Sequence, residues 1–326
     1  MEVVRIVIVT SQDAGSGAPR AIHRIFQALD QLYGDQHEVL LRVIHRTHNH
    51  PRIIGGKPNR NWLEFTEYFL RTRFRKYFPR KPSRSMNRVL RSQALYPSGL
   101  GRELRALNAD VILLGWLGNS TLSIREIAHL TCPVVWRLSD MWLFSGAEHY
   151  TTSRRYETGY SRKSRPIDEE GPDIDRETYL RKKRLWRGPM HIVCPSGWIA
   201  EEAARSQLTK SWPKWIIPNT VNTNSWRPAN QGTSRKRLGL PEKGPVVLFG
   251  AGAGLSDQRK GGDLFVEVVS ILRGKHVLPK ITPVIFGGVA EEPTRGPAGF
   301  INLGRLDDQD LRDAYNAADV MVVPPE

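Results

Sequence analysis

Residues 245–269 read PVVLFGAGAGLSDQRKGGDLFVEVV, and the reading of this stretch decides the fold. It opens with Val246, Val247, Leu248 and Phe249, a short apolar run of the kind that forms a buried strand. A loop with Gly250, Gly252 and Gly254 follows, and then Arg259-Lys260-Gly261-Gly262. The spacing of Leu264, Phe265, Val268, Val269 and Leu272 predicts a helix beyond them. Strand, glycine loop and cationic helix start together form a candidate phosphate site. Free backbone N–H groups and the positive end of a helix dipole favour an anion there. The order is not that of a P-loop, which ends in Gly-Lys-Ser/Thr. Taken alone, the same residues are equally well read as a βα turn with an incidental Arg-Lys pair.

The alternation of strand and helix extends outward in both directions. Downstream, residues 281–288 (ITPVIFGG), 300–304 and 319–323 read as strands, with a helix over 307–316. Upstream, strands are predicted at 3–9, 39–44, 109–116, 133–138, 190–194 and 214–220, the last stopping at Pro218. The first strand runs into a small-residue loop, 11–20, and then a helix with Ile22, Ile25, Phe26 and Leu29 on one face. That is how a Rossmann-like domain begins, but the loop lacks the G-x-G-x-x-G order of a dinucleotide site. Ligand contact and plain turn both remain open for it. The strand at 133–138 empties into Ser139 and Asp140, which is where open parallel sheets bind ligands; helix capping is the commoner use of such an Asp. Residues 222–234 have linker composition, which divides the chain into domains 1–222 and 223–326. The expected fold class is α/β, two Rossmann-like domains. No helix follows the last predicted strand, so the second domain is expected to be incomplete.

Composition narrows the function. A hydrophobic content of 40% in 326 residues supports packed cores and is not that of a disordered chain. The net charge of +15 points to an anionic partner: nucleic acid, an acidic membrane surface or phosphorylated ligands. Much of it is concentrated in a basic insertion near 58–98, where Arg71, Arg73, Arg75 and Lys76 lie among Trp62, Phe65, Tyr68, Phe69, Phe74, Tyr77 and Phe78. Aromatics beside cations suit an anionic membrane interface or stack on nucleobases; a solvated surface insertion whose aromatics pack on the domain is the other reading. No helix-turn-helix, zinc or RNP signature accompanies the charge, so nucleic acid is not the expected partner. Two cysteines, Cys132 and Cys194, exclude a disulfide framework and a cysteine metal cluster. No run approaches the roughly 18 apolar residues of a membrane span, and no secretory signal is present, so a cytoplasmic protein is expected, possible at the inner membrane face.

The order of short motifs resembles glycosyltransferase family 4, the retaining nucleotide-sugar transferases of GT-B architecture. Ser16-Gly17-Ala18-Pro19-Arg20 is similar to the family's Gly-Gly-Ala-x-Arg loop. Residues 135–146 (VWRLSDMWLFSG) with His149-Tyr150 resemble the HDMWPFTGGCHY segment of an exopolysaccharide-building, colanic-acid-type subgroup. Pro195-Ser196-Gly197-Trp198 resembles its PSRW, residues 217–222 (IPNTVN) the widespread IPNGVD, and Arg259-Lys260-Gly261 the RKG before the donor-domain helix. Residues 303–306 (LGRL) and 318–324 also fall in order. Each motif is weak alone; their common order carries the resemblance, which spans most of the chain.

The resemblance implies a sugar transfer, with retention, from a nucleotide-diphosphate sugar to a polysaccharide or lipid-linked saccharide acceptor. It implies that Lys260 neutralises the departing diphosphate, with Arg259 as a further donor contact. Gly17 is implied to let backbone approach the sugar diphosphate, Ser139 and Asp140 to face the transferred sugar, and Gly287, Gly304 and Arg305 to lie near the nucleotide. No cofactor or metal is implied, the nucleotide sugar being a co-substrate. The sequence also departs from the family pattern. Ser139 stands in place of His; Glu148, Ser153, Tyr160 and Lys163 stand near cysteine positions; Ala251 stands where an Arg is common. The chain ends before the E-x7-E carboxylates, so a C-terminally truncated enzyme is expected, and an inactive nucleotide-binding fragment is the alternative.

Overall fold

In the computed structural model the chain divides into two compact units, Met1–Thr220 and Val221–Glu326. Described residues are 2–56, 90–118, 121–167, 169, 171–252, 254–256, 258–274, 280–288 and 299–325. Arg71, Arg73, Arg75 and Lys76 of the basic insertion lie outside them.

The first unit is built on β1 (Arg5–Gln12), β2 (Glu38–His45), β3 (Ile53–Gly55), β4 (Val111–Leu114), β5 (Val134–Arg137), β6 (His191–Cys194) and β7 (Lys214–Ile216). They form one parallel sheet in the order β3-β2-β1-β4-β5-β6-β7. Its helices are α1 (Gly17–Tyr33), α2 (Leu100–Ala106), α3 (Ile124–Ala128), α4 (Ile174–Leu185) and α5 (Gly197–Arg205). Helices on both faces bury the central strands, which is why β1 can carry Val7, Ile8 and Val9 consecutively, all fully buried. Ile22 and Phe26 of α1 pack on β2 and β3 through Val39, Leu41 and Ile53. Strand order reverses between β1 and β4, so the loops at the carboxyl ends of these strands border the crevice where such sheets bind ligands. The edge strand β3 was not expected from the sequence, because Ile53-Ile54-Gly55 is too short to show a period.

The second unit carries β8 (Val246–Gly250), β9 (Thr282–Phe286), β10 (Ile301–Asn302) and β11 (Val320–Met321), parallel in the order β10-β9-β8-β11. Its helices are α6 (Gln231–Arg237), α7 (Gly262–Gly274) and α8 (Asp308–Ala317). The opening stretch is therefore β8, a glycine turn and α7. On α7 the buried face is Phe265 and Val269, with Phe265 stacked on Phe249 of β8 at 5.2 Å, while Leu264 and Val268 are exposed. The stretch of linker composition is corrected in part, since α6 begins inside it. Asn230 caps that helix by accepting from the Thr233 N–H at 2.9 Å. Buried Arg235 then ties it down by donating to Asp319 at 2.8 Å and to the Ala317 carbonyl at 3.0 Å. Partners more than 80 positions away are invisible to local composition.

Candidate functional site

In the second unit the glycines gather at the carboxyl edge of the sheet. Gly287 has φ +101°, and a Cβ there would sit 1.7 Å from the Ala251 carbonyl oxygen, so only glycine fits. Its N–H donates to the Gly304 carbonyl at 2.7 Å, and the Gly288 N–H donates to the Gly252 carbonyl at 3.3 Å. The turns after β8, β9 and β10 are thereby knitted into one backbone surface. Lys260 ends a 3₁₀ turn, Gln258–Lys260, just before α7. Gly261 follows with φ +66°, and its Cα lies so close to the Pro324 carbonyl that a Cβ would be 1.9 Å from that oxygen. The close approach seats the Lys260 turn against the segment after β11. Lys260 is exposed and has no ion-pair partner among the described residues. Arg259 and Arg305 are exposed as well. Arg259 has an interaction partner within the chain.

In the first unit, Gly17 is the exposed first residue of α1, and a Cβ there meets nothing within 4 Å. Packing inside the unit does not call for glycine at this position. The glycine that backbone geometry does require is Gly15, at φ +104°. Asp13, fully buried in the same loop, accepts the Thr47 and His48 N–H groups at 2.8 and 2.9 Å, joining the loops after β1 and β2. Sequence reasoning passed over Asp13, because its partners lie more than 30 positions away.

The loop after β5 is the most heavily built part of the unit. Ser139 and Asp140 are half-buried, and residues 141–149 are buried without interruption. Arg137, buried at the strand end, donates to the Leu138 carbonyl at 2.7 Å and to Ser139 Oγ at 3.0 Å. Burial pulls its guanidinium below the usual pKa. Asp140 accepts from the Trp142 N–H at 3.0 Å and from His149 Nδ1 at 2.6 Å. Beneath the loop, fully buried Lys182 of α4 donates to the carbonyls of Trp142, Ser145 (3.4 Å) and Gly146 (2.8 Å). Its ammonium also lies 3.8 Å from the Trp142 ring centroid. Three acceptors match the three donors of an ammonium. Burial drives the Lys182 pKa well down, opposed by the carboxylates of Glu148, Asp140 and Asp175.

Glu148 and Tyr160 are paired under the same loop: the Tyr160 hydroxyl donates to Glu148 Oε1, and the Gly146 N–H donates to Tyr160 at 2.8 Å. Glu148 Oε2 and Asp175 Oδ1 are both buried without a hydrogen-bond donor among the described residues, although Arg91 Nε lies 3.4 Å from Asp175 Oδ1 as an ion pair. A proton held on Glu148 supplies the missing donor, in keeping with its pKa being raised to about 8 by burial and by the charge of Asp175. In the unfolded chain this carboxyl loses its proton near pH 4.5, and in the fold it holds it to about pH 8. The stability it lends is complete below pH 4.5 and drains away as pH rises to about 8. Melting temperatures between pH 5 and 8 are therefore expected to fall in the wild type relative to Glu148→Gln, which carries no titrating proton. Parallel curves for the two proteins would remove this account. Both cysteines are free thiols, Cys194 buried and Cys132 half-buried.

No family model matches the chain. A stretch of 124 residues is 33% identical to the D-inositol 3-phosphate glycosyltransferase of Acidothermus cellulolyticus, covering 33% of this chain and 27% of that protein. The match thus spans about a quarter of that relative's length. Solved structures resemble nearly the whole chain. WaaG, a glycosyltransferase involved in lipopolysaccharide biosynthesis, superposes with a TM-score of 0.57 at 12% identity, over 98% of this chain and 75% of its own. Anabaena HepE in complex with UDP-glucose gives 0.54 at 13% identity, over 98% and 74%. The catalytic domain of Arabidopsis thaliana starch synthase IV, bound to ADP and acarbose, gives 0.52 at 11% identity, over 99% and 78%. At these identities the likeness establishes the fold: parallel α/β units of GT-B type.

Proposed function

We propose that this chain is a glycosyltransferase that moves a sugar, with retention, from a nucleotide-diphosphate sugar to a polysaccharide or lipid-linked saccharide acceptor. The observation that carries the reading is Lys260, exposed and without an ion-pair partner among the described residues, seated by Gly261 at the start of α7 beside the glycine turns of β8, β9 and β10. A cation beside uncovered backbone N–H groups at a helix start suits a diphosphate. HepE with UDP-glucose and starch synthase with ADP support a nucleotide-sugar donor.

In this reading Lys260 stabilises the leaving diphosphate, with Arg259 and Arg305 adding positive potential. Gly287 and Gly304 present bare backbone to the nucleotide, and Gly17 does so at the start of α1. Ser139 and Asp140 contact the saccharide. Protein cations do the work that a metal does in other transferases, so no metal and no cofactor is called for. The basic insertion with Arg71, Arg73, Arg75 and Lys76 serves the acceptor or an anionic membrane surface on the cytoplasmic side. Among the described residues no helix is long and apolar enough to cross a membrane.

A panel of UDP-, ADP- and GDP-sugars in a thermal-shift assay tests the donor reading. A ligand at about 100 times its Kd stabilises the fold by about 2.7 kcal/mol, a shift of several degrees. At least one nucleotide sugar is expected to produce it. A flat response across the panel, at millimolar ligand, would count the reading out.

A further inference from the structure

A buried hydrogen-bond chain ends at Asp140. Ser92 Oγ lies 2.8 Å from His149 Nε2, and His149 Nδ1 lies 2.6 Å from Asp140 Oδ2. Ser92 is 3% exposed and His149 6%, whereas the Asp140 side chain keeps 22% of its surface open. An ionised carboxylate only accepts, so Nδ1 carries the proton and Nε2 accepts from the Ser92 hydroxyl. The elements around the chain hold it rigidly. The Trp142 ring stacks on His149 at 6.1 Å, Trp116 meets its edge at 6.5 Å, and Trp142 Nε1 donates to the Ser92 carbonyl at 2.8 Å. The backbone on either side is tied too: the Ser92 N–H donates to the Ala147 carbonyl at 2.8 Å and the His149 N–H to the Leu90 carbonyl at 3.0 Å.

The residue types are those of a hydrolase triad, but the exposure runs the other way. A nucleophilic serine must meet substrate; here serine is the buried end and the carboxylate faces out. The chain is therefore an aiming device for Asp140. Among the described residues each Asp140 oxygen has one donor, the Trp142 N–H on Oδ1 and His149 on Oδ2. Each keeps acceptor capacity for a further hydroxyl. Asp140 also stands just past β5, at the ligand-binding edge of the sheet.

We infer that Asp140 grips a pair of adjacent saccharide hydroxyls, one on each carboxylate oxygen, and that His149 and Ser92 are positioning residues acting through it. This deepens the glycosyltransferase reading and rests on it. It assigns the vicinal diol as the chemical feature recognised in the first unit, and it gives a functional role to buried Ser92, a residue near the end of the 58–98 stretch.

The test is a double-mutant cycle on sugar transfer, using the nucleotide sugar that most raises the melting temperature. Asp140→Asn and His149→Gln are each expected to lower kcat/KM about ten- to a hundredfold, the size of a lost hydrogen bond to a charged group. The double variant is expected to be no worse than the poorer single one, and Ser92→Ala should show a few-fold loss. The coupling in activity should exceed the coupling in melting temperature that two residues in direct contact show. Multiplying losses, or activities that merely follow the folded fraction, would overturn the assignment. Proton NMR decides independently of turnover: the His149 Nδ1–H signal should move on titration with methyl α-glucoside in the wild type and stay fixed in Asp140→Asn. A signal that ignores the sugar in both proteins would overturn it equally. A wild type that transfers no sugar from any donor would instead remove the glycosyltransferase reading, a result the NMR titration keeps separate.

Discussion

Lys260→Ala is expected to lower sugar transfer by roughly two to three orders of magnitude, the size of a lost donor to developing charge in a water-poor site. The same change is expected to leave the melting temperature within about 1 °C of wild type, because exposed side chains contribute little to stability. The two outcomes together make the result specific. Charge builds on the diphosphate as the glycosidic bond opens, so a cation there acts on the transition state more than on the bound donor. The loss should appear mainly in kcat, with KM for the donor changed less. Lys260→Arg keeps the charge but changes reach and shape, and should recover part of the rate. Arg259→Ala, on a residue with a partner of its own, should cost less. Steady-state transfer with the stabilising nucleotide sugar decides it; undiminished turnover in Lys260→Ala would take this residue out of the site.

Lys182→Met is expected to have the largest effect on stability. Methionine matches the length of the side chain but donates nothing. The carbonyls of Trp142, Ser145 and Gly146 would lose their common donor, and Glu148 and Asp175 the nearby positive charge. Each buried carbonyl left without its donor costs about 1–3 kcal/mol, which together give a fall in melting temperature on the order of 10 °C. The near-ultraviolet circular dichroism should also flatten, because Trp142 and Trp186 both pack around this ammonium. A melting temperature within about 2 °C of wild type, the shift expected of less than about 1 kcal/mol, would mean that the loop is held by its other contacts. The loop in question carries Ser139 and Asp140, so partial unfolding here should reach the proposed saccharide site.

Much of the fold was legible because its signals are local. The apolar runs at β1, β5, β6, β8 and β9 show buried strands by composition, since a parallel sheet covered on both faces needs no polar alternation. Helix α1 announces itself by its period and α8 by its cap, where Asp307 accepts from the Gln309 and Asp310 N–H groups at 2.8 Å. The strand β3 and the start of α6 were not legible. One is only three residues long, and the other sits in polar, proline-flanked sequence and is stabilised by Arg235 reaching Asp319.

For the site, the division is sharper. The sequence by itself determined the alternating α/β plan, the glycine turn with Lys260, and the position of Ser139-Asp140 at a strand end. Each of these follows from residues within one turn or one strand of each other. Only the tertiary structure decided which polar residues serve that loop. Ser92 and His149 are 57 positions apart, and Lys182 reaches back 40 positions to the Trp142 carbonyl. In the sequence Lys182 is one cation of the run Arg181-Lys182-Lys183-Arg184, and nothing in its neighbours marks it as the buried one. Burial and hydrogen-bond partnership are properties of the packed chain, set by how α4 lies against the loop after β5. The opening stretch shows the same limit: its spacing places a cation at the start of α7, but that Lys260 is exposed and seated by the Gly261–Pro324 approach comes from the fold.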